Sequence, residues 1–149
     1  MATSNKARTK VLIVDDEPAV LEGIRRALRR VSDTWDVTFA QDGAEALMTA
    51  KLYPFDVLIT DVRMPNMHGI ALLGRFAERY PDTMRVAFSD KFDALTVYSL
   101  TECSHSYISK PCTAGALYSF VNERLAGHRL RIALAEDVVN DDAGFPTIG

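Results

Sequence analysis

Short apolar runs and helical periodicities alternate along this chain. Residues 11–14 form an apolar run that enters from Lys10 and closes on Asp15, the pattern of a buried strand. Leu21, Ile24, Leu28 and Val31 then recur at spacings of three and four, one face of a helix, with Pro18 in a first turn that needs no N–H from it. Residues 35–40 alternate as a second strand, and Ala44, Leu47 and Ala50 mark a second helix that Pro54 stops. Residues 55–60 predict a third strand running straight into Asp61. Ile70, Leu73, Phe76, Ala77 and Tyr80 predict a third helix, ended by Pro81. Residues 85–88 follow as a fourth strand, residues 92–102 as a more polar helix, and residues 106–109 as a fifth strand before Lys110 and Pro111. Leu117, Phe120, Val121 and Leu125 mark the last helix. Five strands, each followed by a helix, predict a doubly wound α/β fold, a parallel sheet covered by helices on both faces.

The tail leaves two readings open. Leu130, Leu134 and Val138 keep helical spacing beyond Gly127. A second register (Val121, Leu125, His128, Ile132, Ala135, Val139) steps like a coiled-coil seam. The acidic stretch from Asp141 to Pro146 then reads as a turn-rich linker or tail. The expected division is a disordered segment at 1–7, one domain at 8–127, and a helix, linker or tail at 128–149.

Composition narrows the classes of function. The 149 residues are 48% apolar and 25% charged, a soluble globular balance that excludes a disordered chain. No apolar run approaches the ~20 residues of a membrane span. The polar start and the short run after it do not make a secretory leader, so the expected location is cytoplasmic. Seventeen basic against twenty acidic residues give a net charge of −3, and no global basic field for nucleic acid. Cys103 and Cys112 lack metal-ligand spacing and are too few for a disulfide framework, so both are expected as thiols. His68, His105 and His128 lie too far apart in the chain to suggest a metal site. Arg25, Arg26, Arg29 and Arg30 form a basic cluster on the first helix, either a solvated face or a docking surface for an acidic or kinase partner.

The chemistry gathers at strand ends. Ligands of doubly wound sheets bind beyond the carboxyl ends of the strands. Asp15 and Asp16 end the first strand, Asp61 the third, Ser89 the fourth and Lys110 the fifth, so all five converge on one edge. Three neighbouring carboxylates need neutralising, and a hard divalent cation with oxygen ligands does this, Mg²⁺ (or Mn²⁺) before others. A lysine and a hydroxyl beside it make a cradle for phosphoryl oxygens, in which a carboxylate can act as nucleophile to form an acyl phosphate. Gly69 follows the turn at residues 64–67, where a positive φ is expected.

Val14-Asp15-Asp16-Glu17-Pro18, Thr60-Asp61-Val62-Arg63-Met64-Pro65 with Gly69, then Ser89, Tyr107, and Ser109-Lys110-Pro111 stand in order and at characteristic spacing. Over roughly residues 8–127 the chain resembles the receiver domain of two-component response regulators. The resemblance implies a flavodoxin-like sheet in the order 2-1-3-4-5, with Asp61 as phosphoacceptor. It further implies Mg²⁺ held by Asp16, Asp61 and the backbone carbonyl of Arg63, with Asp15 acting through water. Lys110 pairs with the phosphoryl group, Ser89 hydrogen-bonds to it, Tyr107 is the aromatic switch, and Lys110–Pro111 is a candidate cis bond. Ser-Lys-Pro-Cys, with Trp35, Arg63-Met64-Pro65 and the stretch from Tyr80 to Thr83, further resembles receivers attached to HDOD or HD-GYP output domains.

Two positions depart from the family. Receivers usually carry Ala or Gly after the Ser/Thr, where this chain has Asp90. That carboxylate either caps the fourth helix or crowds anionic donors and the cation, with Lys91 partly offsetting its charge. Cys112 is either a small residue at a helix start or a thiol activated near Lys110. The resulting expectation is a phosphorylation-controlled switch, with no catalysis beyond self-phosphorylation and autodephosphorylation. Its partners are a sensor histidine kinase or phosphotransfer protein, a second copy through the face of the fourth helix, fifth strand and fifth helix, and an output domain in another chain or beyond residue 149. Direct nucleic-acid binding and membrane association are not expected. The rivals are a degenerate receiver acting as an interaction module, and a small haloacid-dehalogenase-like phosphatase, whose Asp-x-Asp-x-Thr signature the first strand lacks.

Overall fold

Aliphatic runs of four to six residues flanked by turn residues are too short for stable helices and satisfy their backbones by pairing in a sheet, and this chain builds five of them into one. The computed structural model describes residues 8–31, 33–64, 68–90, 93–102 and 105–144. The order along the chain is β1 (Thr9–Val14), α1 (Pro18–Val31), β2 (Trp35–Ala40), α2 (Gly43–Leu52), β3 (Val57–Thr60), α3 (Gly69–Arg79), β4 (Met84–Ser89), α4 (Ala94–Glu102), β5 (Ser106–Ser109) and α5 (Ala114–Gly144). All neighbouring strands are parallel, in the order β2-β1-β3-β4-β5, as expected of a doubly wound fold.

Alternation along the strands divides the apolar residues between two cores. Leu12, Val14 and Leu58 face one layer, where Leu72, Leu73, Phe76 and Leu100 come down from α3 and α4. Val11, Ile13, Val57 and Ile59 face the other, against Leu21 and Leu28 of α1 and Leu117, Val121 and Leu125 of α5. Each such side chain stabilises the fold by about 1.5–3 kcal/mol relative to exposure. Trp35 ties this second layer together: its Nε1–H donates to Asn122 Oδ1 at 3.0 Å, and its ring lies 5.0 Å from that of Tyr118.

Helix ends are capped where the sequence offers short polar side chains. Asp42 accepts from the N–H of Glu45 at 2.7 Å, while the Glu45 carboxylate takes the N–H of Gln41, a capping-box arrangement. Asp93 caps α4 by accepting from the N–H of Thr96 at 2.7 Å, a bond that holds its carboxyl below the usual carboxylate range. Capping of α4 was one of the two readings of Asp90. It belongs to Asp93 instead, and the helix begins at Ala94 rather than at residue 92.

α5 realises one of the readings left open for the tail and extends beyond it. It runs unbroken through Gly127 to Gly144, so residues 141–144, read as linker, are helical. Two contacts hold it to the base of the sheet: His128 Nε2–H donates to the Asp82 carbonyl at 2.7 Å, and Arg129 lies 3.8 Å from Asp56. The segment 1–7 lies outside the described residues, as do Pro65, Lys91 and Cys103. Among the described residues no helix is long and apolar enough to cross a membrane.

His105 is buried, 7% exposed, where Arg85 Nε–H donates to its Nδ1 at 3.0 Å. Burial, and then the Arg85 charge, push its pKa down to about 4. A proton on Nδ1 would remove the acceptor that Arg85 uses. The folded state therefore keeps His105 neutral, whereas the unfolded chain takes up a proton near pH 6.5. Stability should fall as pH drops from about 6.5 towards 4, by about 3 kcal/mol from this group. Urea melts across that window should show the loss in the wild type and a smaller one in His105→Gln, whose amide can still accept from Arg85. Equal slopes in the two proteins would refute the assignment.

Candidate functional site

Sheet register brings the acids together. β1 and β3 are neighbours, with Val14 opposite Thr60, so the residues that follow, Asp15 and Asp61, leave the sheet side by side. Backbone bonds fix both exits: Asp15 N–H donates to Ala40 O at 3.2 Å and Asp61 N–H to Val14 O at 3.0 Å. Carboxylate oxygens of Asp15, Asp16 and Asp61 all lie within 4.8 Å of one another. Asp15 is buried, and Asp16 and Asp61 are half-buried.

Lys110 arrives from the end of β5, its N–H bonded to Ser89 O at 2.8 Å. Its Nζ donates to Asp15 Oδ2 at 2.7 Å and to Asp61 Oδ2 at 3.4 Å, and stands 5.1 Å from the centre of the Phe88 ring. Burial favours the neutral amine, but the hydrogen bond and charge of Asp15, followed by those of Asp61, hold its pKa above the ordinary lysine value. The remaining carboxylate oxygens take loop N–H groups, Glu17 to Asp15 Oδ1 at 3.0 Å and Arg63 to Asp61 Oδ1 at 3.2 Å. The Glu17 bond closes a short turn between β1 and α1.

One lysine against three carboxylates leaves two negative charges in a space a few ångströms across. That donor set of hard oxygens fits Mg²⁺ or Mn²⁺. Asp15, Asp16 and Asp61 are the side chains that would hold the ion. Arg63 is exposed, and the contact found for its backbone is the N–H to Asp61.

The other expected residues are placed as follows. Ser89 ends β4, 1% exposed, and Tyr107 lies on β5, 41% exposed. The Lys110–Pro111 bond is cis, as expected. Asp90 is exposed beside Ser89. Cys112 packs at the edge of the second core, and burial pushes its thiol pKa up, opposite to an activated nucleophile. In the basic cluster, Glu22 lies 3.5 Å from Arg25 and 3.3 Å from Arg26. Phe88, the Arg63 N–H and Thr60, whose hydroxyl donates to Asp61 O at 3.0 Å, were not anticipated at the site. Each sits beside a flagged residue, and that adjacency was the available signal.

Gly69 is required for a different reason than expected. No glycine among the described residues has a positive φ. Instead, Gly69 N–H donates to Val62 O at 2.8 Å. A Cβ there would collide with the Asp61 carbonyl oxygen and lie 2.8 Å from the Asp61 carbonyl carbon and Val62 Cα. The absent side chain lets α3 start against the loop that carries Asp61.

The family model for the response regulator receiver domain matches residues 11–122. The chain is 34% identical over 103 residues to the probable transcriptional regulatory protein TcrX of Mycobacterium tuberculosis, covering 68% of this chain and 43% of that protein. It is 32% identical over 138 residues to the response regulator protein PilR of Pseudomonas aeruginosa, covering 91% of this chain and 30% of that protein. It therefore spans less than half the length of either relative. Among solved structures it is similar to the chemotaxis protein CheY4 of Vibrio cholerae, with a TM-score of 0.72 and 26% identity, covering 78% of this chain and 98% of that one.

Proposed function

Since this chain belongs to the response regulator receiver family, we propose that its carboxylate cluster accepts a phosphoryl group on Asp61 and so works a phosphorylation-controlled switch in the cytoplasm. The observation that carries this reading is Lys110 Nζ bridging Asp15 and Asp61 within a three-carboxylate cluster. An Asp61 carboxylate oxygen attacks phosphorus. The P–N bond of a donor phosphohistidine breaks, and the donor imidazole leaves with the electron pair and takes a proton. A bound divalent cation supplies charge neutralisation for the phosphoryl oxygens. Lys110, a cation poised between two carboxylates, can turn to the new phosphoryl oxygens while keeping a partner. Ser89 supplies a hydroxyl from the adjacent strand end. In-line transfer needs mainly such positioning and charge.

The donor is a sensor histidine kinase or a phosphotransfer protein. The acyl phosphate carries about −2 where the Asp61 carboxylate carried −1, and this gain of about one negative charge biases the face of α4, β5 and α5 between two arrangements. Leu95, Tyr98 and Tyr107 are exposed there, at 77%, 64% and 41%, which suits a second copy or an output domain. Hydrolysis of the acyl phosphate resets the switch, and no other substrate is turned over.

Incubation with acetyl phosphate and millimolar Mg²⁺, followed by intact mass and peptide mapping, tests the reading. A single phosphoryl group on Asp61 is expected, with no uptake when chelator is present from the start. No uptake, together with no response to beryllofluoride, would favour a phosphorylation-independent interaction module. Asp90 makes a subsidiary prediction. The residue is exposed and directly follows Ser89 at the end of β4, where its charge repels small anionic donors, an effect moderated by solvent screening. Asp90→Ala should speed uptake from acetyl phosphate about two- to fivefold, and an unchanged rate would remove Asp90 from the account.

A further inference from the structure

Away from the carboxylate cluster, the free edge of the sheet at β2 combines three properties of a docking site. β2 pairs with β1 alone, so the outer side of its backbone is not used by the sheet. Such edges template the addition of another strand. A cavity also flanks it on each face. On the α1 side, Arg25, Leu28, Arg29, Trp35, Val37 and Phe39 line about 180 Å³. On the α2 side, Lys10, Asp36, Thr38, Tyr53, Pro54 and Phe55 line about 230 Å³.

The sizes decide what fits. Pockets for small organic ligands run to about 300–1,000 Å³, so each cavity suits a single large side chain. Successive side chains of a strand point to opposite faces. A strand laid along β2 thus delivers one side chain to each cavity while its backbone bonds to the edge, the signature of strand addition.

Charge then selects the occupant. On the α1 side, Arg25 lies 4.7 Å from the centre of the Phe39 ring and pairs with Glu22. Arg29 makes no ion pair among the described residues and is exposed. A carboxylate two positions from the apolar anchor, on the same face, meets these guanidinium groups. On the α2 side Lys10 and Asp36 offset each other, which suits a neutral aliphatic residue. A second copy paired edge to edge by a twofold axis across the sheet would set its arginines against Arg25 and Arg29, a like-charge contact that disfavours it.

We propose that β2 is a docking edge for an extended acidic segment of a partner protein, which adds a sixth strand with one apolar side chain beneath Arg25 and Arg29 and its neighbour beside Tyr53. The site is separate from the carboxylate cluster, so occupancy does not require the phosphoryl group.

The probe is a fluorescein-labelled heptapeptide with Phe at its centre, Val on either side, Glu two positions away on both flanks and Thr at the ends. Titration of the full chain should give saturable binding by anisotropy, with new hydrogen-exchange protection confined to β2 amides. Arg29→Glu should weaken binding at least tenfold, and a peptide with Lys for Glu should not bind. N-methylation of alternate peptide amides should abolish binding, because it leaves the side chains and removes the backbone bonds. Beryllofluoride uptake by Arg29→Glu should match wild type, showing that the variant is folded and that this site stands or falls apart from the phosphoacceptor. The proposal is overturned by absence of saturable binding, by equal affinity in Arg29→Glu, or by binding that survives N-methylation. Protection of β2 amides in a concentration-dependent dimer without peptide would also overturn it.

Discussion

Asp61→Asn is expected to take up no phosphoryl group from acetyl phosphate in Mg²⁺, and to unfold at a higher temperature than the wild type in the absence of metal. The first effect follows from chemistry: an amide oxygen is a poor nucleophile and forms no acyl phosphate. The second follows from geometry. At an effective dielectric constant near 20, two carboxylates whose facing oxygens lie within 4.8 Å of each other repel by roughly 3.5 kcal/mol or more. Asp61 faces two such neighbours. Its attraction to Lys110 at 3.4 Å is roughly 5 kcal/mol on the same scale. Repulsion exceeds attraction, and Lys110 keeps the closer Asp15. Removing the charge should therefore stabilise the metal-free protein by about 1 kcal/mol. Intact mass measures the first effect, and thermal melting in chelator the second. Phosphoryl uptake by Asp61→Asn would move the acceptor elsewhere, and a lower melting temperature would show that Asp61 is held by attraction.

Gly69→Ala, at the first residue of α3, should strongly destabilise the fold. Its Cβ would meet the Asp61 carbonyl group and Val62 Cα, all backbone atoms of a loop fixed at both ends. Side chains can turn aside from a new methyl group, but backbone must move. Overpacking commonly costs 1–3 kcal/mol and occasionally more. A collision with two residues of backbone places this site at about 3 kcal/mol or above. Because the segment that shifts carries Asp61, uptake of phosphoryl groups should fall with stability. Urea unfolding of the variant would check this. A loss under about 1 kcal/mol would mean that α3 can start further from the loop than it does here.

These two residues also show how far the sequence can be read. Asp61 was legible because a buried strand and the acid after it are adjacent in sequence, and the parallel fold carries such strand ends to one edge. The same holds for Asp15, Asp16, Ser89 and Lys110. Gly69 was legible as a requirement but not in its cause. A turn glycine suggests a positive φ, whereas this one answers to a carbonyl eight residues earlier, a contact made only on folding. Asp90 looked able to cap α4, but the helix starts at Ala94 and the cap falls to Asp93. Whether the helix crosses Gly127 was open, because local propensity disfavours glycine in a helix, and the acidic run from Asp141 read as a linker or tail. Contacts of the next two residues, His128 with Asp82 and Arg129 with Asp56, outweigh that preference.

Those two contacts give the continuous α5 a mechanical character. They lie where the helix leaves the sheet, and residues 130–144 continue beyond them for about 22 Å at 1.5 Å per residue. Upstream, the same rod packs Leu117, Val121 and Leu125 into the sheet and begins four residues after Lys110. It is a lever with its fulcrum at His128 and Arg129. A tilt of about 5° there, too small to break a core, carries residue 144 sideways by about 2 Å.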